Sequence, residues 1–180
     1  MINYFRLPVI IILASGLLAP LGALAQESDN DACTDASLKG DYAFRVTGAI
    51  LNAAGAPVDS REGVAMTHFD GKGGLAQVDW VMSNGEPLMG PADPETGFHI
   101  DESGTYKVNP DCTGSAVIHF PAPKGVSSGA EIDLMLVLSN HGRTIHAIVS
   151  KLLPPGSSTP LPVAIHSDAE KLGPIRDRER

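Results

Sequence analysis

The sequence predicts an all-β protein, a single antiparallel barrel of about eight strands held by one disulfide. Three observations point there. Apolar and polar residues alternate in short runs between Gly40 and Lys151, turn signals separate the runs, and the chain contains just two cysteines, Cys33 and Cys112. No stretch in that region carries a helical period with caps.

The first 25 residues set the compartment. Arg6 precedes the apolar stretch Leu7 to Leu18, and Ala23-Leu24-Ala25 offers small residues where a signal peptidase reads. A cleavable signal peptide over residues 1–25 is expected, with the mature chain starting at Gln26 and a secreted or periplasmic product. The apolar stretch is shorter than the roughly 20 residues a spanning helix needs, so no stable membrane insertion after cleavage is expected. Lipid anchoring would need a cysteine directly after the cleavage site, and Cys33 lies further on. In an oxidising compartment two cysteines allow one intramolecular pairing, Cys33 with Cys112.

The 155 residues left after cleavage suffice for one domain with its own core. Without Arg6 they carry twelve basic and 21 acidic residues, a formal charge of −9. The basic residues are scattered singly, which argues against a nucleic-acid partner.

Along the mature chain, residues 26–37 are polar and acidic and read as a flexible leader pinned at Cys33. The barrel domain is expected over 38–151. Its first strand runs from Gly40 to Leu51, with Tyr42, Phe44, Val46 and Ile50 on one face and Arg45 and Thr47 on the other. Ala54-Gly55-Ala56-Pro57 ends it. A second strand spans Glu62 to Phe69, before the turn Asp70-Gly71-Lys72-Gly73-Gly74. The third, Leu75 to Ser83, aligns the single tryptophan, Trp80, with Ala76, Val78 and Met82, opposite Gln77 and Asp79. Residues 84–97 form a long loop in the position of a lid. Strands resume over Phe98 to Val108 and Ser115 to Phe120, and a hairpin follows, Glu131 to Ser139 and Arg143 to Lys151. The proline- and serine-rich, then charged, tail 152–180 reads as disordered.

Three segments carry a family resemblance: Leu38-Lys39-Gly40-Asp41-Tyr42-Ala43-Phe44, Phe69-Asp70-Gly71-Lys72-Gly73, and Gly104 through Gly114 with Cys112 inside it. In this order they resemble secreted bacterial proteins described as allene oxide cyclase barrel-like, within the calycin group that includes dirigent proteins. The likeness spans residues 33 to 151. It implies an eight-stranded barrel with a mostly apolar cavity. Plant members steer cyclisation or coupling of hydrophobic reactive intermediates without a cofactor, so none is expected here. No catalytic residue can be carried over position by position.

The candidate site residues follow from pattern. Tyr42, Phe44, Trp80, Met82 and Tyr106 are the candidates for lining a ligand cavity, although core filling demands the same residue types. His68, His119 and His146 each fall in a strand. They lack the i, i+2 spacing that seats two imidazoles on one face, so no metal centre is assigned. Asp79, Glu62 and Glu131 are carboxylates that would gain a raised pKa if they faced an apolar cavity, and Arg45 is a candidate partner for one of them. Asp70-Gly71-Lys72-Gly73-Gly74 lacks the ligand spacing of a calcium or phosphate loop, and no Gly-x-Ser-x-Gly occurs. The expected function is binding of a small hydrophobic molecule outside the cytoplasm. A cofactor-independent isomerase or cyclase, or a structural barrel with a filled interior, are the alternatives. Self-association through outer faces is expected of such barrels.

Overall fold

The computed structural model of the protein describes residues 32–173. The expected signal peptide, residues 26–31 and residues 174–180 lie outside them. A 3₁₀ turn, Asp35–Leu38, is followed by β1 (Gly40–Leu51), β2 (Pro57–Phe69), β3 (Gly74–Ser83), β4 (Glu86–Pro87), β5 (His99–Val108), β6 (Thr113–His119), β7 (Glu131–Ser139), β8 (Thr144–Leu153) and β9 (Val163–Lys171). No α-helix occurs among the described residues.

Consecutive strands pair antiparallel, except that the two-residue β4 hangs on β3 as a small hairpin and β5 takes the next place beside β3. The last strand returns to the first, β9 pairing with β1 from Ile50↔Val163 to Tyr42↔Lys171. The protein is therefore a closed eight-stranded antiparallel barrel with one short extra strand. Closure satisfies both edges of every barrel strand, which alternation alone cannot do.

Glycines permit the closest strand approaches. Gly48 sits on the closing seam with φ +150, and a Cβ there would lie 2.2 Å from the Ala164 carbonyl oxygen on β9. A Cβ on Gly104 would lie 1.9 Å from the carbonyl oxygen of Val117 on β6. Neither position accepts a side chain.

One end of the barrel is plugged. Leu38, Tyr42 and Ile145 are fully buried there, and Phe69 meets Tyr42 and Tyr106 edge-on at 5.4 and 5.0 Å between ring centroids. The Tyr42 hydroxyl donates to the Gly142 carbonyl and the Tyr106 hydroxyl donates to the Asp35 carbonyl, at 2.9 Å in the latter case. Burial pushes the Tyr42 phenol up to about 12. The Asp35 carboxylate accepts from the Val108 amide at 2.8 Å and the Lys107 ammonium at 3.0 Å, and the amide bond above all lowers its pKa. The Cys33–Cys112 disulfide fastens this segment to the β5–β6 turn.

Two expectations are corrected here. Residues 32–37 are not a flexible leader, because the disulfide, the 3₁₀ turn and the Asp35 bonds make them the floor of the barrel. The segment after Lys151 is not disordered throughout: Leu152 and Leu153 finish β8, and Val163–Lys171 is the closing strand. Of its inward residues Ile165, Ser167 and Ala169, only Ile165 is bulky; Ser167 and Ala169 stand opposite Val46 and Phe44. The apolar alternation of β9 is therefore faint, and the prolines before it dominate the composition.

The disulfide closes a loop of 79 residues, which stabilises the fold by roughly 4 kcal/mol in the chain-entropy model. Cys112→Ser is expected to lower the melting temperature by about 10 °C while keeping the far-ultraviolet β signature. Equal melting temperatures for oxidised and reduced wild type would contradict this.

Candidate functional site

The opposite end of the barrel is open and leads into a cavity of about 320 Å³. Its wall is mostly apolar, with Phe44 and Ile50 from β1, Ala116 and Ile118 from β6, Leu134 from β7 and Val149 from β8. Leu88, Met89 and Pro91 line the mouth from the segment after β4. The expected long loop 84–97 is more ordered than a simple lid. It turns through Asn84 and Gly85 at positive φ, pairs β4 on β3, and bridges Ala92 to His99.

One sector of the wall is polar. Gln77 and Asp79 project inward from β3, and Glu102 and His99 project inward from the paired stretch of β5. The register pairs Gln77 with Glu102 and Asp79 with His99, so that Val78 alone separates Gln77 from Asp79 on β3 while Ile100 and Asp101 separate His99 from Glu102 on β5. The extra residue makes a bulge, and Asp101 in it has φ +65. In a regular strand His99 and Glu102, three positions apart, would point to opposite faces. The bulge brings both into the cavity.

The hydrogen bonds form a chain along this sector. The Thr67 hydroxyl donates to Gln77 Oε1 at 2.7 Å, and Gln77 Nε2 donates to Glu102 Oε2 at 2.9 Å. His99 Nδ1 lies 2.8 Å from Asp79 Oδ1, and His99 Nε2 lies 3.0 Å from the Leu88 carbonyl oxygen. A carbonyl can only accept, so Nε2 carries a hydrogen. The Nδ1–Oδ1 contact then holds one proton between two groups that would otherwise both be acceptors. Glu102 Oε1 is buried and has no hydrogen-bond partner. Burial, and then repulsion by Asp79, push the Glu102 carboxyl up to about 8. Burial likewise raises Asp79, against the opposing pull of His99.

One ligand atom each from Asp79, His99 and Glu102 lies within 4.8 Å of the others, so these residues form the one group of three among those described with the spacing to hold a cation. Besides His99, Arg61 is the one basic side chain among the residues lining the cavity, and it is already engaged. Its guanidinium grips Asp59 through two contacts of 2.9 and 2.8 Å, and Ser83 donates to the same carboxylate.

The residues expected from sequence are placed unevenly. Phe44 lines the cavity. Tyr42 and Tyr106 lie inside the barrel but in the plug beneath the cavity, each with its hydroxyl committed to a backbone carbonyl. Trp80 and Met82 are on the outer face of β3, the reverse of the expected parity, while Asp79 is 5% exposed and inward. Trp80 instead stacks beside His99, with 6.0 Å between centroids. His68, His119 and His146 do not converge. Each faces outward beside a carboxylate on the neighbouring strand, Asp41, Glu131 and Asp168 respectively. Glu131 also takes Lys151 at 2.7 Å, which lowers its pKa, and Glu62 accepts from Thr47 on the outer face. Arg45 is exposed on β1, with Asp168 as its register partner.

His99 and Glu102 escape pattern reading because the bulge breaks the period-two rule between them. Gln77-Val78-Asp79 offered a signal, two polar residues on one face of a strand flanked by Leu75. It reads as a solvent face unless the side on which Leu75 lies is known.

Fold and site together define a closed antiparallel barrel with a one-mouthed apolar cavity and an acidic, histidine-containing sector on its wall. Compared with known proteins, the chain matches no family model and no curated sequence.

The buried carboxyl of Glu102 makes stability depend on pH. The unfolded chain loses this proton near 4.5 and the folded protein keeps it to about 8, so stability falls as pH rises through that window. Glu102→Gln is expected to flatten the fall and to raise the melting temperature at pH 8 by several degrees, read by thermal melts across the window. An unchanged slope would show that Glu102 titrates normally.

Proposed function

We propose that this protein binds a small, mostly apolar molecule inside its barrel, with the molecule's polar end against the Asp79–His99–Glu102 sector. The observation that carries the reading is the cavity. At about 320 Å³ it falls at the small end of the range that small-molecule sites occupy, and its apolar wall narrows onto a few convergent polar groups. Each methylene taken from water into such a wall adds about 0.8 kcal/mol. A filled structural barrel would have no such space. The export pattern of residues 1–25 and the Cys33–Cys112 bridge support a secreted or periplasmic site of action. The likeness to allene oxide cyclase barrel-like proteins supports the same reading and rests on the three sequence segments alone. Self-association belongs to it as well, since Met135 and Ile148 are register partners on the outer face and each is more than half exposed.

The inward carboxyls favour one second reading, a cofactor-independent isomerase in which Asp79 and His99 move a proton on the bound molecule. Incubating the loaded protein in heavy water and weighing the recovered ligand tests it. Protein-dependent deuterium uptake that Asp79→Asn removes supports catalysis, and no uptake leaves a binding protein.

Binding itself is checked with the neutral fluorescent probe N-phenyl-1-naphthylamine. Saturable enhancement is expected for wild type, and its loss for Ala116→Phe, which fills the cavity from β6. His146→Ala, on the outer face, is expected to bind as wild type does. Equal enhancement by all three proteins would place the probe outside the barrel and defeat the proposal.

A further inference from the structure

Apart from the proton on the Glu102 carboxyl, the polar sector consists of acceptors whose neighbouring donors are already spent. The Thr67 hydroxyl is given to Gln77, the Gln77 amide to Glu102 Oε2, and the Nε2 hydrogen of His99 to Leu88. Glu102 is 2% exposed, lines the cavity, and keeps Oε1 without a partner. A second carboxyl, Asp79, stands within the same cluster. Arg61, the one arginine lining the cavity, is committed to Asp59 in a two-point contact, and both ring nitrogens of His99 are taken by Asp79 and the Leu88 carbonyl, so no positive group is left to receive an anion.

We infer that the cavity selects an apolar molecule bearing a protonated primary amine, with the ammonium seated on Glu102 Oε1 beside Asp79. This deepens the binding function proposed above and rests on it. An ammonium brings three hydrogens and a positive charge, and it takes the place of the proton that the buried Glu102 carboxyl otherwise holds, so the carboxylate it meets is neutralised as it binds. A hydroxyl satisfies one acceptor without neutralising it. A carboxylate meets no donor there except the Glu102 proton and sets an uncompensated negative charge beside Asp79, so fatty acids are rejected. The alkyl part of the ligand lies along Phe44, Ile118 and Leu134.

The test displaces N-phenyl-1-naphthylamine from the mature, oxidised protein with octylamine, 1-octanol and octanoate, which share a chain and differ at the head. Octylamine is expected to compete at least tenfold better than octanol, as a charge-assisted hydrogen bond requires, and octanoate worst of the three. In Glu102→Gln, whose shape is preserved, the amine should lose its advantage while octanol competes as before. Circular dichroism and the melting curve report whether the variant is folded. Equal competition by all three compounds, or a preference for octanoate, overturns the inference and leaves the binding cavity standing. An amine preference that survives Glu102→Gln overturns the assignment of the residue. Stoichiometric Zn²⁺ binding that excludes octylamine and disappears in Glu102→Gln makes the sector a metal site and overturns it too. If no compound displaces the probe and Ala116→Phe leaves the probe signal intact, the cavity reading fails first and this inference falls with it.

Discussion

The architecture depends on one seam, the ladder between β1 and β9. Eight strands joined in chain order make an open sheet until the last returns to the first. Only then does the surface bearing Phe44, Ala65, Leu136 and Ile165 become an interior. Gly48 is the local requirement of that seam, since any side chain there would collide with the β9 backbone. An open edge would expose unpaired backbone groups along a long strand, which is both costly and adhesive. Closure removes that liability and creates the space that gives the protein its candidate site.

Within that space the energetics turn on an apparent contradiction, two carboxyls set into an apolar wall. Burial of polar groups is tolerated when each finds a partner, and most of this sector is so arranged. Thr67, Gln77 and one oxygen of Glu102 are linked in series, and Asp79 shares a proton with His99. The remaining Glu102 oxygen breaks the rule. Groups left in this condition store unfavourable free energy that an incoming partner can release, and they are concentrated where proteins act on other molecules. The β5 bulge is what assembles the sector, so a single additional residue in one strand separates this polar wall from a regular one.

Much of the fold was legible because most inner faces are strongly apolar. Tyr42 and Phe44 on β1, and Ile132, Leu134, Leu136 and Leu138 on β7, alternate with polar or exposed neighbours and declare their strands directly. The cysteine pair was legible from its number and from the export pattern. The candidate site was not. On β3 the inward face carries Gln77 and Asp79, while Trp80 lies on the outside, packed beside His99, so hydrophobicity gave the wrong parity. Across the bulge no periodic rule relates His99 to Glu102. Strand β9 was hidden for a third reason: two of its three inward residues, Ser167 and Ala169, are small where they face Val46 and Phe44, and Ile165 alone leaves little pattern to read.

The plugged floor has a bearing on kinetics. With Leu38 and Tyr42 sealing one end and the disulfide holding the seal in place, the barrel is a cup rather than a tube. Whatever occupies it enters and departs by the same opening. Residence time is then set by the segments around that rim, where Leu88 and Met89 sit, and not by the stability of the barrel wall. Molecules longer than the cup must leave their excess protruding into solvent. Under the binding function proposed above, ligand length should therefore register as a change in release rate more than in capture.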